Sequence, residues 1–111
     1  MKLGSFDFEG RYMSADEIRE EAGVYVVLSL QPERSPTVLD VGESGWNRPR
    51  GQGMRSRLKS HERRSCWEEH RGDGNIAFVV LYEPDGDRRL EIEKALRRSH
   101  HPPCGTEPPT W

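Results

Sequence analysis

The chain has 111 residues, 32% of them hydrophobic and 32% charged, and a formal net charge of -2. That size suits one domain with a small core under a densely charged surface. No run approaches the ~18 apolar residues of a membrane span, and Met1-Lys2-Leu3-Gly4-Ser5 has no apolar signal region. With only two cysteines, Cys66 and Cys104, a cytoplasmic protein with reduced thiols is expected.

Residues 1–13 read as an irregular arm, pinned down by Phe6, Phe8 and Tyr12. Ser14-Ala15-Asp16-Glu17 is a capping box that opens a short helix from Ala15 to about Glu21, and Gly23 stops it. Val24 to Leu30 is β-branched and aromatic, a strand. The loop Gln31 to Pro36 leads to a second strand, Thr37 to Val41, so the pair forms an antiparallel hairpin. Strand alternation puts Tyr25 and Val27 on one face, and Val38 and Asp40 on one face of the partner. This second strand runs into a Gly/Ser turn, Val38 to Ser44, and launches the basic centre of the chain.

Gly42 to Gly53 is rich in Gly and Pro and reads as irregular. Met54 to about Arg63 reads as a helix with Met54, Leu58 and His61 on one stripe, and Ser65 to His70 adds a turn. After the turn Asp73-Gly74-Asn75, Ile76 to Tyr82 is the most apolar run, the expected central or best-buried strand. Pro84-Asp85-Gly86-Asp87 supplies an N-cap. Arg88 to about Ser99 is a helix with the stripe Ile92, Ala95, Leu96 and Ser99, ended by Pro102-Pro103. The expected fold is α/β in the broad sense, of α+β type: a small three-stranded, mainly antiparallel sheet flanked by helices. Residues 1–22 would be an arm and short helix packed on a domain over 23–105, with a flexible tail over 106–111.

Charge is segregated along the chain. Asp7, Glu9, Asp16, Glu17, Glu20 and Glu21 face only Lys2, Arg11 and Arg19 in the arm, whereas Arg48, Arg50, Arg55, Arg57, Lys59, Arg63 and Arg64 face only Glu62 in the centre. Such a basic segment is either a polyanion-binding face or a solvated helix surface.

Four features in order carry a resemblance. They are Gly23-Val24-Tyr25, Asp40-Val41-Gly42, Met54-Arg55-Ser56-Arg57-Leu58 with His61, and a last helix ending at Pro102-Pro103. Over roughly residues 23–105 the chain resembles the GIY-YIG nuclease superfamily. The resemblance implies a metal-dependent endonuclease that hydrolyses phosphodiester bonds. Tyr25 would lie at the scissile phosphate and position or deprotonate the attacking water. Arg57 would neutralise charge developing on the phosphoryl oxygens. Glu93 would hold Mg²⁺, or Mn²⁺, at low affinity together with water and substrate oxygen. Helical geometry alone leaves Glu91 and Glu93 at opposite borders of the apolar stripe, and only the family's spacing selects Glu93.

Three positions depart from the family pattern. Asp40 replaces the tyrosine of the second motif, Glu43 stands where lysine is frequent, and Gly105 where asparagine is frequent. Asp40 either acts as a second metal ligand or as the base, or it repels phosphate and leaves a catalytically impaired binding or protein-interaction module.

Around this set, Arg50, Arg55 and Lys59 are candidate nucleic-acid contacts. Ser44 belongs to a turn that could cradle a phosphate, and Trp46 could stack on a base. His61 either assists the site or is a packing histidine, and Trp67 reads as core. Cys66-x3-His70 and His100-His101-x2-Cys104 have near-zinc spacing, but neither half contains Cys-x2-Cys, so zinc is set aside in favour of a buried Cys66 thiol and a surface histidine pair. The expected partner is nucleic acid, DNA rather than RNA, and not a membrane. In so small a domain, specificity would come from a partner protein or a homodimer.

Overall fold

The structure, a computed structural model, describes residues 1–47 and 51–105. The expected tail over 106–111 and the candidate Arg50 lie outside the described residues.

The apolar runs form the middle of one antiparallel sheet. Strand β4 (Gly23–Leu30) pairs with β5 (Thr37–Ser44) on one side and with β6 (Asn75–Tyr82) on the other. Seven consecutive residues of β4 are buried, so β4 is the best-covered strand and β6 its inner neighbour. The arm departs from expectation. Residues Lys2–Leu3 (β1) and Phe6–Asp7 (β2) form a small hairpin, and Glu9–Tyr12 (β3) adds a fourth strand beyond β6, giving the order β3-β6-β4-β5. The sequence Glu-Gly-Arg-Tyr carries no strand signal. It is an edge strand whose backbone, more than its side chains, earns its place by pairing with β6.

The short helix is also reduced. The capping box forms, with Asp16 N–H donating to Ser14 Oγ (3.2 Å) and Ser14 N–H to Glu17 Oε2 (3.1 Å). Yet only Ala15–Glu17 turn, as one 3₁₀ turn, because Ile18 leaves in an extended conformation and buries completely in the core.

Two apolar layers sandwich the sheet. Tyr25, Val27, Phe78 and Val80 face Leu39, Met54, Leu58 and Trp67 on one side. Val24, Val26, Leu28 and Val79 face Ile92, Leu96, Leu3 and Phe8 on the other. A bulge decides which layer receives Asp40. Val27 pairs with Asp40 but Leu28 pairs with Val38, so Leu39 is an extra residue in β5. Val38 therefore packs on the α3 side, while Asp40 shares the face of Tyr25 and Val27. The simple alternation expected for Val38 and Asp40 fails at that point.

The basic helix is two helices, α1 (Met54–Lys59) and α2 (Arg64–His70), broken at Ser60 (φ -135°, ψ 60°). The arm holds the start of α1. Met54 N–H donates to Glu21 O and Ser56 N–H to Glu20 Oε1, both at 2.9 Å. Glu20 thus does from a distant segment what a local N-cap usually does. Arg55 Nε donates to Ile18 O (2.6 Å), and Lys59 pairs with Asp16 at 2.8 Å. The acidic arm and the basic centre are two sides of one internal contact.

Helix α3 (Gly86–His100) starts where expected, with Asp85 Oδ1 accepting from Asp87 N–H (2.9 Å) and Arg88 N–H (3.4 Å). Its buried face differs from the expected stripe. It consists of Arg89, Ile92, Leu96 and Arg97, whereas Ala95 and Ser99 are exposed. Two arginines occupy core-facing positions at the helical period, so an apolar count misplaces the face. The open edge of β5 is covered as well. Cys104 N–H donates to Leu39 O (3.0 Å), and Arg97 Nη2 donates to Val41 O (2.5 Å).

Tyr25 lies across its register partner Gly42. A Cβ on Gly42 would fall 2.3 Å from the Tyr25 hydroxyl oxygen and 2.4 Å from ring carbon Cζ. Gly42→Ala is expected to destabilise the fold by about 2–4 kcal/mol, measured by urea unfolding. In a Tyr25→Ala background the same change should cost less than about 1 kcal/mol, because the obstructing ring is gone. Equal costs in both backgrounds would contradict this packing.

Candidate active site

Tyr25 is buried, and its Oη lies 2.7 Å from His61 Nε2. The break between α1 and α2 makes this contact possible, since it turns His61 under the sheet instead of leaving it on the stripe of a continuous helix. The hydrogen bonds define the tautomer. His61 Nδ1 accepts from Arg63 N–H (3.1 Å), so the ring proton sits on Nε2, which donates to the tyrosine oxygen. The phenolic proton is then free to donate elsewhere. Burial lowers the His61 pKa to about 4, with Arg57 and Arg63 adding to the effect, so the ring is neutral at pH 7. Burial also pushes the Tyr25 phenol well above its ordinary value. It stays protonated at neutral pH and is not a base there, contrary to one of the two roles considered for it.

A chain of alternating charges runs beside this pair. Arg57 makes a two-pronged contact with Glu62 (2.5 and 2.7 Å), which holds the Glu62 carboxyl far below the usual carboxylate range. Glu62 also lies 3.5 Å from Arg63 Nη1. Arg63 donates to both oxygens of Asp40 (2.7 and 3.3 Å). Arg97 Nη2 donates to Asp40 Oδ1 at 2.7 Å, and Arg97 Nε lies 3.6 Å from Glu93 Oε2. Arg57, Asp40, Arg63 and Glu93 all act electrostatically on the Tyr25 phenol. The four expected residues Tyr25, Asp40, Arg57 and Glu93 are thus gathered at one pole of the sheet, with His61.

Their roles differ from expectation at Asp40. Its side chain is 0% exposed, and the Trp67 indole N–H donates to Oδ2 at 2.8 Å in addition to the two arginines. A carboxylate held by three donor side chains is neither an available base nor an open metal ligand. Nor does it repel phosphate, because two guanidinium groups neutralise it.

The other two departures have similar partners. Glu43 forms a buried pair with Arg89 (2.9 Å, both side chains 1% exposed). Gly105 (φ 94°) lies against Arg97, where a Cβ would fall 2.3 Å from Nη2. Asp40, Glu43 and Gly105 thus lie against Arg63, Arg89 and Arg97. Of these, only Arg63 stood out in the sequence, as part of the basic run. Arg89 and Arg97 lay hidden in a helix read by its apolar residues.

The structure separates the two glutamates that helical geometry left open. Glu91 is exposed and pairs with Arg88 (3.5 Å), while the Glu93 side chain is only 13% exposed and borders the charge chain. The candidate nucleic-acid contacts are not gathered with them. Arg55 is bound to the arm, and Lys59 pairs with Asp16. Ser44 is buried, its hydroxyl donating to Gln52 O at 2.7 Å. Trp46 is exposed, but it lines a cavity of about 460 Å³ with Glu21, Glu83 and Tyr82, an acidic setting unsuited to phosphate. The cysteines also differ from expectation, as Cys66 and Cys104 form a disulfide, their Cα atoms 5.9 Å apart. No described helix is long and apolar enough to cross a membrane.

The neutral His61 gives the fold a defined pH response. The folded chain resists a proton that an unfolded imidazole accepts near pH 6.5. Between about pH 6.5 and 4 the unfolded state binds more protons, so this contribution is full above that window and is lost as pH falls through it. Denaturant unfolding at pH 7 and pH 5 should show wild type losing about 2 kcal/mol more than His61→Gln, and parallel losses would contradict the buried neutral ring. Comparison of the chain with protein-family models, curated proteins and solved structures finds no match, so any functional reading rests on the residues of this site.

Proposed function

We propose that the chain is a small GIY-YIG-like endonuclease that hydrolyses phosphodiester bonds in nucleic acid, DNA rather than RNA, with Mg²⁺ or Mn²⁺. The observation that carries this reading is the chain of ion pairs Arg57–Glu62–Arg63–Asp40–Arg97–Glu93, which links two different helices beside the Tyr25–His61 pair. Glu93, only 13% exposed and bordering the charge chain beside Arg97, would hold the metal. A single carboxylate suits Mg²⁺, which retains several waters and completes its shell with substrate phosphate. The bound ion would neutralise phosphoryl charge and acidify the attacking water.

The remaining roles belong to the protein. His61 Nε2–H fixes the Tyr25 oxygen, and the free phenolic proton of Tyr25 donates to a phosphate oxygen. Arg57 exchanges the Glu62 carboxylate for the phosphate, since both present two oxygens to the planar guanidinium. In the transition state it stabilises the charge that builds on those oxygens. Asp40 holds Arg63 and Arg97 in place and exchanges no proton. Sequence selectivity would come from a partner protein or a second copy, as the domain offers little surface of its own. A cytoplasmic setting is part of the proposal and requires Cys66 and Cys104 to be reduced there.

A second reading, a catalytically silent nucleic-acid-binding or protein-interaction module on the same fold, is favoured by one observation. Tyr25 is 1% exposed, so the packing around it must open before substrate reaches it.

Supercoiled DNA, single-stranded DNA and RNA incubated with Mg²⁺ or Mn²⁺ distinguish the two. Metal-dependent nicking is expected, reduced about 100-fold or more in Arg57→Ala and in Glu93→Gln. Glu62→Gln, which removes the competing carboxylate, should tighten DNA binding several-fold and steepen its salt dependence by about one unit. Salt-sensitive binding without cleavage supports the silent module, and nicking that survives both Arg57→Ala and Glu93→Gln contradicts the assignment of the site.

A further inference from the structure

We propose that Cys66, His70 and Cys104 form a zinc site that fills when the disulfide between the two cysteines is reduced. The cluster packs against the same core as Tyr25 and Trp67 but plays no part in the proposed hydrolysis. Cys66 and His70 are four residues apart on α2 and so share one helical face. Cys104 arrives from the strap that follows α3, beyond Pro102 and Pro103.

The ligand atoms of the three residues all lie within 4.8 Å of one another. His70 Nδ1 is 3.6 Å from Cys66 Sγ and 4.0 Å from Cys104 Sγ. Zinc–sulfur bonds of about 2.3 Å and zinc–nitrogen bonds of about 2.0–2.1 Å in a tetrahedron place nitrogen and sulfur about 3.6 Å apart, and two sulfurs about 3.8 Å apart. Both nitrogen–sulfur edges are therefore close to their coordinated lengths. Only the sulfur–sulfur edge has to open, by cleavage of the disulfide and small side-chain rotations.

The imidazole is placed for this role. His70 is exposed, yet its Nδ1 is turned back toward both sulfurs and lies 3.0 Å from Cys66 O. Ligation through Nδ1 moves the ring proton to Nε2. Cys104 is fully buried and Cys66 partly so, while His70 is exposed, so water can supply the fourth ligand from the His70 side. Thiolate and imidazole donors together select zinc over Mg²⁺ or Ca²⁺.

The chemistry balances with a low-molecular-weight thiol as reductant. Two such thiols transfer two electrons and two protons to the disulfide, giving two cysteine thiols and one external disulfide. Zinc binding then displaces the two cysteine protons. The consequence reaches Asp40. Cys104 N–H holds Leu39 O and Cys104 O accepts from Arg97 Nη1 (3.2 Å), while α2 carries Trp67, which donates to Asp40. Zinc would fasten, in a reducing environment, the same two elements that the disulfide fastens in an oxidising one.

The test uses the full chain, oxidised or reduced with a phosphine, then given zinc and desalted. About one zinc per chain is expected in the reduced protein and none in the oxidised, and zinc should raise the Tm of the reduced protein alone. Cobalt in place of zinc should give the intense visible bands of a tetrahedral thiolate site. His70→Ala, an exposed change, should weaken zinc binding by more than about tenfold while leaving the Tm of the oxidised protein unchanged. A reduced wild-type chain that retains no more zinc than the oxidised chain, or that binds zinc as tightly after His70→Ala, overturns the proposal.

Discussion

A buried carboxylate at Asp40 is the constraint on which this structure depends. An unpaired ion there would be strongly destabilising. Its partners come from separate parts of the chain: Arg63 from the break between the two short helices, Trp67 from α2, and Arg97 from α3. Each partner requires something else. The bulge at Leu39 turns Asp40 toward the Tyr25 face, and Gly105 leaves space for the Arg97 guanidinium. One carboxylate therefore ties an edge strand, two helices and the C-terminal strap together.

The same arrangement shapes the chemistry available to the site. With Asp40 enclosed, the pole also holds the Tyr25 hydroxyl supported by His61, the paired Arg57 and Glu62, and the Glu93 carboxylate beside Arg97. Glu62 lies over Arg57 in the geometry a phosphate would adopt. The charges of the pole alternate, so Arg57 presents a free positive face only when Glu62 moves aside. This agrees with the pairing of the basic centre against the acidic arm, which removes Arg55 and Lys59 from the list of free cations.

Much of the fold was legible in the sequence, for identifiable reasons. The β-branched run after Gly23 and the apolar run before Tyr82 announced the two inner strands, and Asp85 announced the start of α3. Other features had no local signal. Ser60-His61 breaks a helix without glycine or proline. A bulge leaves the apolar pattern almost unchanged while it reverses the facing of Val38 relative to Asp40. Arg89 and Arg97 read as surface residues because their burial depends on carboxylates some 46 and 57 positions away. The pairing of Cys66 with Cys104, 38 residues apart, was equally invisible to spacing.

The central claim is that Asp40 acts as the buried counter-ion of Arg97 and Arg63. A double-mutant cycle between Asp40→Leu and Arg97→Met, followed by denaturant unfolding, tests it most directly. Each single change leaves a buried charge with fewer partners and should destabilise by about 3–5 kcal/mol. The double variant should be more stable than the sum of the two losses predicts, by about 2 kcal/mol or more. Additive losses, within about 0.5 kcal/mol, would contradict the account.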